Sequence, residues 1–307
     1  MSKGIVIKST GSWYKVKEED GSIIDARVRG KLRTKGSRNT NPVTVGDHVT
    51  IEHTGDDHVI TDVDDRKNYI IRKSTKLSKE THIIAANIDL AALVTSLKEP
   101  RIKFGFVDRF LVTAEAYNIP AMIVFNKCDL LNETELDYLG ELQEAYLKLG
   151  YPSMAVSAQE NEGIEELRDT LSGKISLFSG HSGVGKSSLL NALNPEIEAR
   201  VTDVSEFNEK GQHTTTFAEM HAMNDTSYII DTPGLRSFGL IDMEPQELKD
   251  YFPEMVHLSE GCKFHNCLHL NEPGCAVKPA YEEGELPWFR YENYTYFYEE
   301  LKSLQPS

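Results

Sequence analysis

The sequence has no long hydrophobic run and little cysteine. No stretch approaches the roughly 20 consecutive apolar residues that a membrane-spanning helix needs, so no membrane association is expected. The opening residues, MSKGIVIKSTGSWYKV, contain no apolar signal-peptide core, and a cytoplasmic location is expected. Only four cysteines occur among 307 residues, and Cys262, Cys267 and Cys275 lie close together. Without a secretion signal, this cluster favours a metal site over disulfides.

Positive charge is also scarce. The chain has 33 Lys and Arg against 48 Asp and Glu, a formal net charge of −15 at pH 7, which fits general nucleic-acid binding poorly. The exception is residues 26–46, which hold six basic residues and no acidic one. This segment is either a solvated basic loop or a patch that contacts RNA phosphates. The candidate RNA-binding residues are Arg27, Arg29, Lys31, Arg33, Lys35 and Arg38.

Residues 1–70 carry the pattern of a small β-barrel. The runs IVIKST, WYKVKE, SIIDARVRG, DHVTIE and DHVITDV are short and rich in β-branched or aromatic residues, and glycine or aspartate separates them. Five short strands with a basic loop after the third predict an RNA-binding domain with the oligonucleotide-binding (OB) fold. Another kind of small β-barrel remains the alternative.

The rest of the chain divides into two further segments. Residues 71–240 alternate buried strands such as AMIVF with helices such as IEELRDTL, which predicts an α/β domain with a mostly parallel sheet. Residues 241–307 are richer in cysteine, histidine and aromatics and end in a helical pattern. There Tyr291, Tyr294 and Tyr298 follow helical spacing, which favours core packing over base stacking.

The octapeptide GHSGVGKS fits a phosphate-binding loop, because a strand pattern precedes it and a helix pattern follows it. Its glycines let backbone amides turn towards phosphates at a helix N-terminus. Lys186 is expected to reach the β- and γ-phosphates and take part in catalysis, and the Ser187 hydroxyl to ligate Mg²⁺. The candidate residues are Gly180, His181, Ser182, Gly183, Val184, Gly185, Lys186, Ser187 and Ser188.

Two further motifs predict that the nucleotide is GTP. In NKCD, the Asp129 carboxylate can accept two hydrogen bonds from guanine, and adenine lacks that donor pair. Asn126 is expected to brace this loop and Lys127 to lie along the base, and Ser157 and Ala158 resemble a turn whose amide meets guanine O6.

In DTPG, which follows the strand pattern YII, Asp231 can hold Mg²⁺ through water. The Gly234 amide can bond the γ-phosphate. This motif lies about 45 residues beyond the phosphate loop.

The base-reading motif precedes the phosphate loop, the reverse of the usual order, which indicates a circularly permuted GTPase. Over nearly its full length the chain resembles the ribosome small-subunit-dependent GTPase A family (RsgA/YjeQ type). The resemblance rests on AANID, NKCD, GHSGVGKSS, GQHTTT, DTPGLRSFGL and the Cys/His cluster. It implies an N-terminal OB barrel, a permuted GTPase and a C-terminal zinc domain. It also implies binding to the small (30S) ribosomal subunit and its rRNA late in assembly.

The site for hydrolysis departs from the usual pattern. Many GTPases position the attacking water with a glutamine just after DxxG, but here that residue is Leu235. His213, in GQHTTT, is the candidate catalytic group, with a structural or RNA-contacting role as the alternative. Thr215, or its neighbour Thr214, is expected to ligate Mg²⁺. Gln212 replaces the family's usual basic residue.

The Cys/His cluster supplies three thiolates and one imidazole, a usual set for one structural zinc ion. His265 and His269 are rival fourth ligands, and the resemblance favours His269 beside Cys262, Cys267 and Cys275. A cluster of buried cysteines without metal is the alternative.

Together these patterns predict a monomeric GTP hydrolase of the small ribosomal subunit. Alternatives are a GTPase for the large subunit or another RNA, and a non-hydrolysing RNA-binding scaffold. The intact Lys186, Ser187, Asp129 and Asp231 argue against the scaffold.

Overall fold

The computed structural model describes residues 1–29, 42–55, 57–73, 81–194, 218–231, 240 and 243–305. Several sequence predictions lie outside these ranges, namely those for Lys31, Arg33, Lys35, Arg38, His213, Thr215, Gly234 and Leu235. Asp231 is described through its backbone alone. None of the described helices combines the length and apolar character that crossing a bilayer requires.

The N-terminal residues form a closed five-stranded barrel. Its strands are β1 (Ser2–Ser9), β2 (Tyr14–Glu18), β3 (Ile23–Val28), β4 (His48–Thr54) and β5 (Asp57–Val63). They pair in the order β1-β2-β3-β5-β4, and β4 pairs back onto β1. The β3–β5 pair is parallel and the others are antiparallel. This is the partly antiparallel five-stranded arrangement of an OB fold, so the predicted fold is confirmed.

Side chains alternate between buried and exposed along these strands, which explains why the strands close around one core. Each strand sends alternate residues inwards, as Val6, Val16, Ile51 and Ile60 do, and these four side chains have no solvent exposure. Because successive strand side chains point to opposite faces, the intervening polar residues face solvent.

A close backbone contact joins the barrel to the following domain. Strands β6 (Tyr69–Lys73) and β7 (Thr81–Ala86) form an antiparallel pair. Gly46 lies so close to β7 that a Cβ there would be 2.1 Å from the Ala86 carbonyl oxygen, and its φ is +88°. Only glycine meets both constraints. Beside it, the fully buried Asp47 carboxylate accepts two hydrogen bonds from Arg66, at 2.6 and 2.7 Å.

The central domain is a doubly wound sheet. Its strands are β8 (Leu90–Thr95), β9 (Ala121–Phe125), β10 (Ser153–Ala155), β11 (Ile175–Gly180), β12 (Glu219–Ala222) and β13 (Tyr228–Asp231). They pair in the order β10-β9-β8-β11-β13-β12, with only β12 antiparallel to its neighbour in this domain. At its far edge β12 meets β1 of the barrel through Glu219 and Lys8, whose side chains form an ion pair at 2.8 Å.

Helices cover both faces of this sheet. They are α1 (Phe104–Ala116), α2 (Glu133–Lys148), α3 (Ile164–Leu171) and α4 (Lys186–Leu193). Apolar residues of α1 and α2, such as Phe110 and Leu139, belong to one buried cluster. Those of α3 and α4, such as Leu167 and Leu189, belong to another. Strands buried on both faces read as continuous apolar runs, which is why AMIVF predicted a parallel strand.

The C-terminal segment is helical. It contains a 3-10 helix (Pro245–Tyr251), α5 (Pro253–Ser259), α6 (Val277–Glu282) and α7 (Trp288–Leu304). Tyr291, Tyr294 and Tyr298 are buried in its core, so the core-packing prediction for them is confirmed. The structure confirms the fold class as an OB barrel, an α/β GTPase-type domain and an α-helical C-terminal unit that carries the Cys/His cluster.

A buried ion cluster fixes α7 against the central domain. The Arg290 guanidinium, which has no solvent exposure, donates to Asp108 of α1 at 2.7 Å and to Glu254 of α5 at 2.6 Å. Asn293 donates to the second Asp108 oxygen at 2.6 Å. Burial raises the pKa of Asp108, and the Arg290 charge opposes that rise. Such a cluster costs desolvation energy, and it tolerates loss of its central cation poorly.

Replacing Arg290 by Met should therefore destabilise the protein by about 3–5 kcal/mol, because two carboxylates stay buried without a cation. Without that cation the folded-state pKa of Asp108 lies further above its unfolded value, and stability then falls as the pH rises. The variant should be less destabilised at about pH 5 than at about pH 8. Thermal unfolding and limited proteolysis of α7 at both pH values measure this.

The matched control is Arg109→Met. Arg109 pairs with Glu300 at 2.5 Å, but both side chains keep partial solvent contact, and such pairs are worth about 0–1 kcal/mol. Equal destabilisation of the two variants, or no pH dependence for Arg290→Met, would contradict the proposed importance of the buried cluster.

Candidate nucleotide site and metal centre

The phosphate loop lies at the point where the strand order of the sheet reverses. It follows β11, which pairs with β8 on one side and β13 on the other. Ligands of open α/β sheets bind in this crevice at the carboxyl ends of the strands. Gly180 packs so tightly that a Cβ would lie 2.5 Å from the Val94 carbonyl oxygen. The helix α4 begins at Lys186, so the strand and helix predicted on either side of the loop are confirmed.

Asn126 joins three loops through its side-chain amide. Its Nδ2 donates to the carbonyl oxygens of Val184, at 2.9 Å, and Gly185, at 3.4 Å, in the phosphate loop. Its Oδ1 accepts the Ala158 amide at 3.1 Å. Asn126 is almost fully buried, so these bonds are shielded from water. The amide thus holds the base-reading loop, the phosphate loop and the 157–158 turn in one arrangement.

Position 185 requires glycine for two reasons, the backbone conformation there and the lack of space for a side chain. Its φ is +83°, and a Cβ there would lie 2.4 Å from Asn126 Nδ2. Any larger residue would push the amide away from the loop. The motif GVGKS therefore needs its last glycine because of a residue 59 positions earlier in the chain.

Asp129 is oriented by a neighbouring hydroxyl. The Ser157 hydroxyl donates to Asp129 Oδ1 at 2.5 Å, and Ser157 also accepts the Glu160 amide at 3.0 Å. Asp129 itself is exposed at the carboxyl end of the sheet. Lys127, just before it, adopts a left-handed backbone with φ of 67°, which turns the chain sharply after β9. A fixed and accessible carboxylate is what bidentate reading of a base requires.

Phe106 of α1 contacts the phosphate loop and was not predicted. Its ring centroid lies 3.7 Å from that of His181, with the planes tilted by 35°. Burial, assisted by the charge of Lys103, lowers the pKa of His181, which favours the neutral imidazole. Among the described residues, its buried Nε2 has no hydrogen-bond partner. Sequence pattern gives no sign of this contact, because α1 begins 77 positions before His181.

The predicted magnesium residues are described only in part. Ser187 lies in the first turn of α4, and the backbone of Asp231 ends β13 beside Phe178 of β11. Ser187 thus follows β11 along the chain, and Asp231 lies beside β11 in the sheet. Hydroxyl and carboxylate oxygens suit Mg²⁺. Thr215 lies outside the described residues.

The described part of the predicted RNA patch is largely paired with acidic groups. Arg27 donates to Asp57 at 2.6 Å and lies over the Trp13 ring at 5.0 Å. Arg29 donates to Glu52 at 2.6 Å. Both pairs are exposed, so water and salt screen them. An RNA phosphate could replace the acidic partner at little cost.

Cys262, Cys267, His269 and Cys275 come together as a metal centre. Their ligand atoms all lie within 4.8 Å of one another. His269 Nδ1 is 3.6 Å from both the Cys262 and Cys275 sulfurs. Tetrahedral zinc, with bonds of about 2.0 Å to nitrogen and about 2.3 Å to sulfur, holds such ligands roughly 3.6 Å apart. The four residues could therefore hold a metal ion, and His265 is not among them.

Buried polar groups position the ligand loop. The Glu272 carboxylate accepts the amides of Leu268, Leu270 and Asn271 at 3.0, 2.9 and 3.1 Å. Burial alone would raise the pKa of Glu272, but these amides hold it below its usual value. The Tyr291 hydroxyl donates to the His269 carbonyl at 2.7 Å. Thus α7 supports the metal centre, and neither partner was predicted from the sequence.

Comparison with known families follows the same division of the chain. The RsgA N-terminal domain matches residues 3–60, and the RsgA GTPase matches residues 63–241. The chain belongs to the RsgA GTPase family. It is accordingly a GTP hydrolase by family, as the motifs predicted.

Curated relatives align with almost the whole length of this chain. A small ribosomal subunit biogenesis GTPase RsgA from Flavobacterium johnsoniae is 50% identical over 295 residues, 95% of this chain and 91% of the relative. One from Bacteroides fragilis is 49% identical over 296 residues, with 95% and 94% covered.

Two solved structures are similar along the whole chain. The crystal structure of YjeQ from Thermotoga maritima has a TM-score of 0.80 at 37% identity, covering 99% of each chain. YloQ, a circularly permuted GTPase, has a TM-score of 0.77 at 32% identity, covering 100% of this chain and 97% of its own. The predicted circular permutation is confirmed by these matches and by the order of the motifs along the sheet.

Asp129→Asn should weaken GTP binding and favour xanthosine triphosphate. The amide presents a donor where the carboxylate accepted, and a donor left unpaired beneath the bound base costs about 1–3 kcal/mol, or roughly 5- to 150-fold in affinity. Equilibrium binding of both nucleotides measures the change. Asp137→Asn, an exposed residue of α2, should leave both affinities unaltered. Wild-type GTP affinity in Asp129→Asn would contradict guanine reading by this carboxylate.

Cys267→Ser should remove bound metal and loosen the C-terminal unit while nucleotide binding persists. One ion held by all four residues would order the ligand loop, so loss of one ligand should loosen it. Metal analysis and limited proteolysis test this. Cys128→Ser, at the cysteine outside the cluster, should keep its metal. A metal-free Cys267→Ser chain with a fully protected C-terminus would disprove the structural role.

Proposed function

We propose that this chain hydrolyses GTP on the small (30S) ribosomal subunit and acts in late maturation of that subunit. The observation that carries the nucleotide half of this proposal is Asn126, whose amide joins the base-reading and phosphate loops. Two loops held together this closely form a pocket for a guanine nucleotide rather than two unrelated turns. The subunit half is supported by the printed names of relatives 50% and 49% identical to it.

Each site residue has a proposed role. Asp129 reads the base, Asn126 braces the loops, and Lys127 lies along the base. Lys186 neutralises charge on the β- and γ-phosphates. Mg²⁺, when bound, neutralises phosphate charge, and Ser187, Thr215 and Asp231 would hold it. The other GTP contacts are proposed for Ser157, Ala158, Gly180, His181, Ser182, Gly183, Val184, Gly185, Ser188 and Gly234.

The two outer units are the proposed docking surfaces. We assign residues 1–70 to an RNA-binding barrel, 71–240 to the GTPase and 241–307 to a zinc-binding domain. The rRNA contacts proposed are Arg27, Arg29, Lys31, Arg33, Lys35 and Arg38, whose phosphate contacts would depend on salt. The protein is proposed to act as a monomer in the cytoplasm, where subunits assemble.

One zinc ion per chain is the proposed occupant of the Cys/His centre. Three thiolates and an imidazole suit zinc, and four protein ligands leave no open position for substrate. The ion would therefore order the ligand loop and take no part in GTP hydrolysis.

His213 is the proposed positioning group for the attacking water. Leu235 stands where many GTPases carry a water-positioning glutamine, and a leucine side chain cannot hold water. We expect slow turnover by the protein alone and stimulation by the small subunit, which would order the segment that carries His213.

His213→Ala should lose most of the stimulated rate, about 10²- to 10⁴-fold, while GTP binding and subunit binding remain. Single-turnover hydrolysis at saturating subunit, beside cosedimentation, measures both. The double charge reversal Arg33→Glu with Lys35→Glu should weaken cosedimentation in a salt-dependent way and leave the basal rate alone. Full stimulated turnover in His213→Ala would remove the proposed role.

The same assay separates the alternatives. Stimulation by the large subunit in place of the small one would favour a different ribosomal partner. Absence of turnover with either subunit would favour a non-hydrolysing scaffold.

A further inference from the structure

A pair of histidines faces each other across the hairpin of β4 and β5. His53 and His58 are directly opposite in the antiparallel ladder. Their Nδ1 atoms are 2.9 Å apart, with ring centroids at 5.0 Å and planes at 74°. Opposite residues of such a ladder have Cα atoms only about 4.5–5.5 Å apart, so the backbone holds the two rings together. The two nitrogens face each other at hydrogen-bonding distance, so one of them carries a proton that a metal ion would displace.

This spacing fits the requirement of a metal ion. Two imidazole nitrogens, each about 2.0–2.1 Å from one ion, are separated by roughly 2.8–3.4 Å at square or tetrahedral angles. The observed Nδ1 separation of 2.9 Å lies within this range. The hairpin supplies the first two ligands with little loss of conformational entropy.

The surroundings of His53 select the tautomer that a metal ligand needs. Its Nε2 lies 3.2 Å from a Glu18 carboxylate oxygen and 2.7 Å from the Ser2 hydroxyl. Because the Ser2 hydroxyl donates to Glu18, its oxygen is left to accept the Nε2 proton of His53, and the Nδ1 lone pair then faces His58. Oxygen groups that accept the second N–H of a ligating histidine, carboxylates above all, are a regular feature of metal sites.

Glu18 is itself fixed. Its side chain keeps only 11% of its solvent exposure, and it accepts hydrogen bonds from the Ser2 and Ser22 hydroxyls. A mobile surface carboxylate would not hold a tautomer. Here three strands, β1, β2 and β4, converge on the outer side of His53.

We propose that His53 and His58 form a second, surface metal site on the barrel, with Glu18 as a positioning residue. Imidazole ligands suit Zn²⁺, Ni²⁺ and Cu²⁺ rather than Mg²⁺ or Ca²⁺. Two protein ligands leave the remaining positions to water, so the ion exchanges readily and holds the β4–β5 hairpin closed. The site is separate from the cysteine-rich centre, which all comes from residues 262–275.

The test uses the untagged, full-length protein with its cysteine site already loaded with zinc. Titration with Ni²⁺ by calorimetry should show one further ion per chain. His53→Gln and His58→Gln should each weaken this binding at least tenfold. His48→Gln removes an exposed histidine of the same strand and should leave it unchanged. Paramagnetic broadening of amide resonances should concentrate on the β4–β5 hairpin.

Glu18→Gln separates positioning from general structure. It keeps the size of the side chain and both histidines, but weakens the acceptor of the Ser2 hydroxyl, whose oxygen receives the Nε2 proton. Nickel affinity should fall about tenfold while the thermal unfolding midpoint of the nickel-free protein stays near wild type. If His53→Gln and His58→Gln leave the nickel affinity unchanged, the proposed site is wrong. Unchanged affinity in Glu18→Gln would overturn the positioning role.

Discussion

The site depends on one side-chain amide, that of Asn126, which bonds the backbone of two other loops at once. This contact shows why the motifs can run in reverse order along the chain. Asn126 follows β9 and the phosphate loop follows β11, but the strands that carry them are separated in the sheet only by β8. Strand position, not chain order, brings the amide to Gly185, which has no Cβ to obstruct it.

The permuted order does change what the DTPG motif is joined to along the chain. The strand β13 leads to DTPG, and the chain then enters the 3-10 helix at Pro245–Tyr251, which packs on both α1 and α7. The same α1 presents Phe106 to His181 of the phosphate loop and Asp108 to Arg290 of α7. One helix therefore touches the phosphate loop through Phe106 and the C-terminal unit through Asp108, two residues further on.

Patterns within short stretches of the sequence predicted much of this structure. Contacts between residues far apart in the sequence were not predicted. The bounds of α3 and α4 agree with the runs IEELRDTL and KSSLLNAL, because apolar spacing and flanking glycines mark both helices. Helix α2 was not predicted, although Asn132 and Glu135 form a capping box that the sequence displays. Phe106 and the Arg290 cluster could not be found, since each contacts a partner far away in sequence and such pairing depends on the folded state.

The attachments of the two outer units differ in kind, and the difference has a consequence. The C-terminal unit is held by buried charges that cannot separate without leaving an unpaired ion, so it should move as one body with α1. The barrel is held by a backbone contact at Gly46 and by the partly exposed pair of Lys8 and Glu219 on β12. Because β12 pairs with β13, any shift of the strand that leads to DTPG reaches the barrel directly. A displacement of β13 therefore has a short path to the barrel, and this weaker attachment should yield before that of the C-terminal unit.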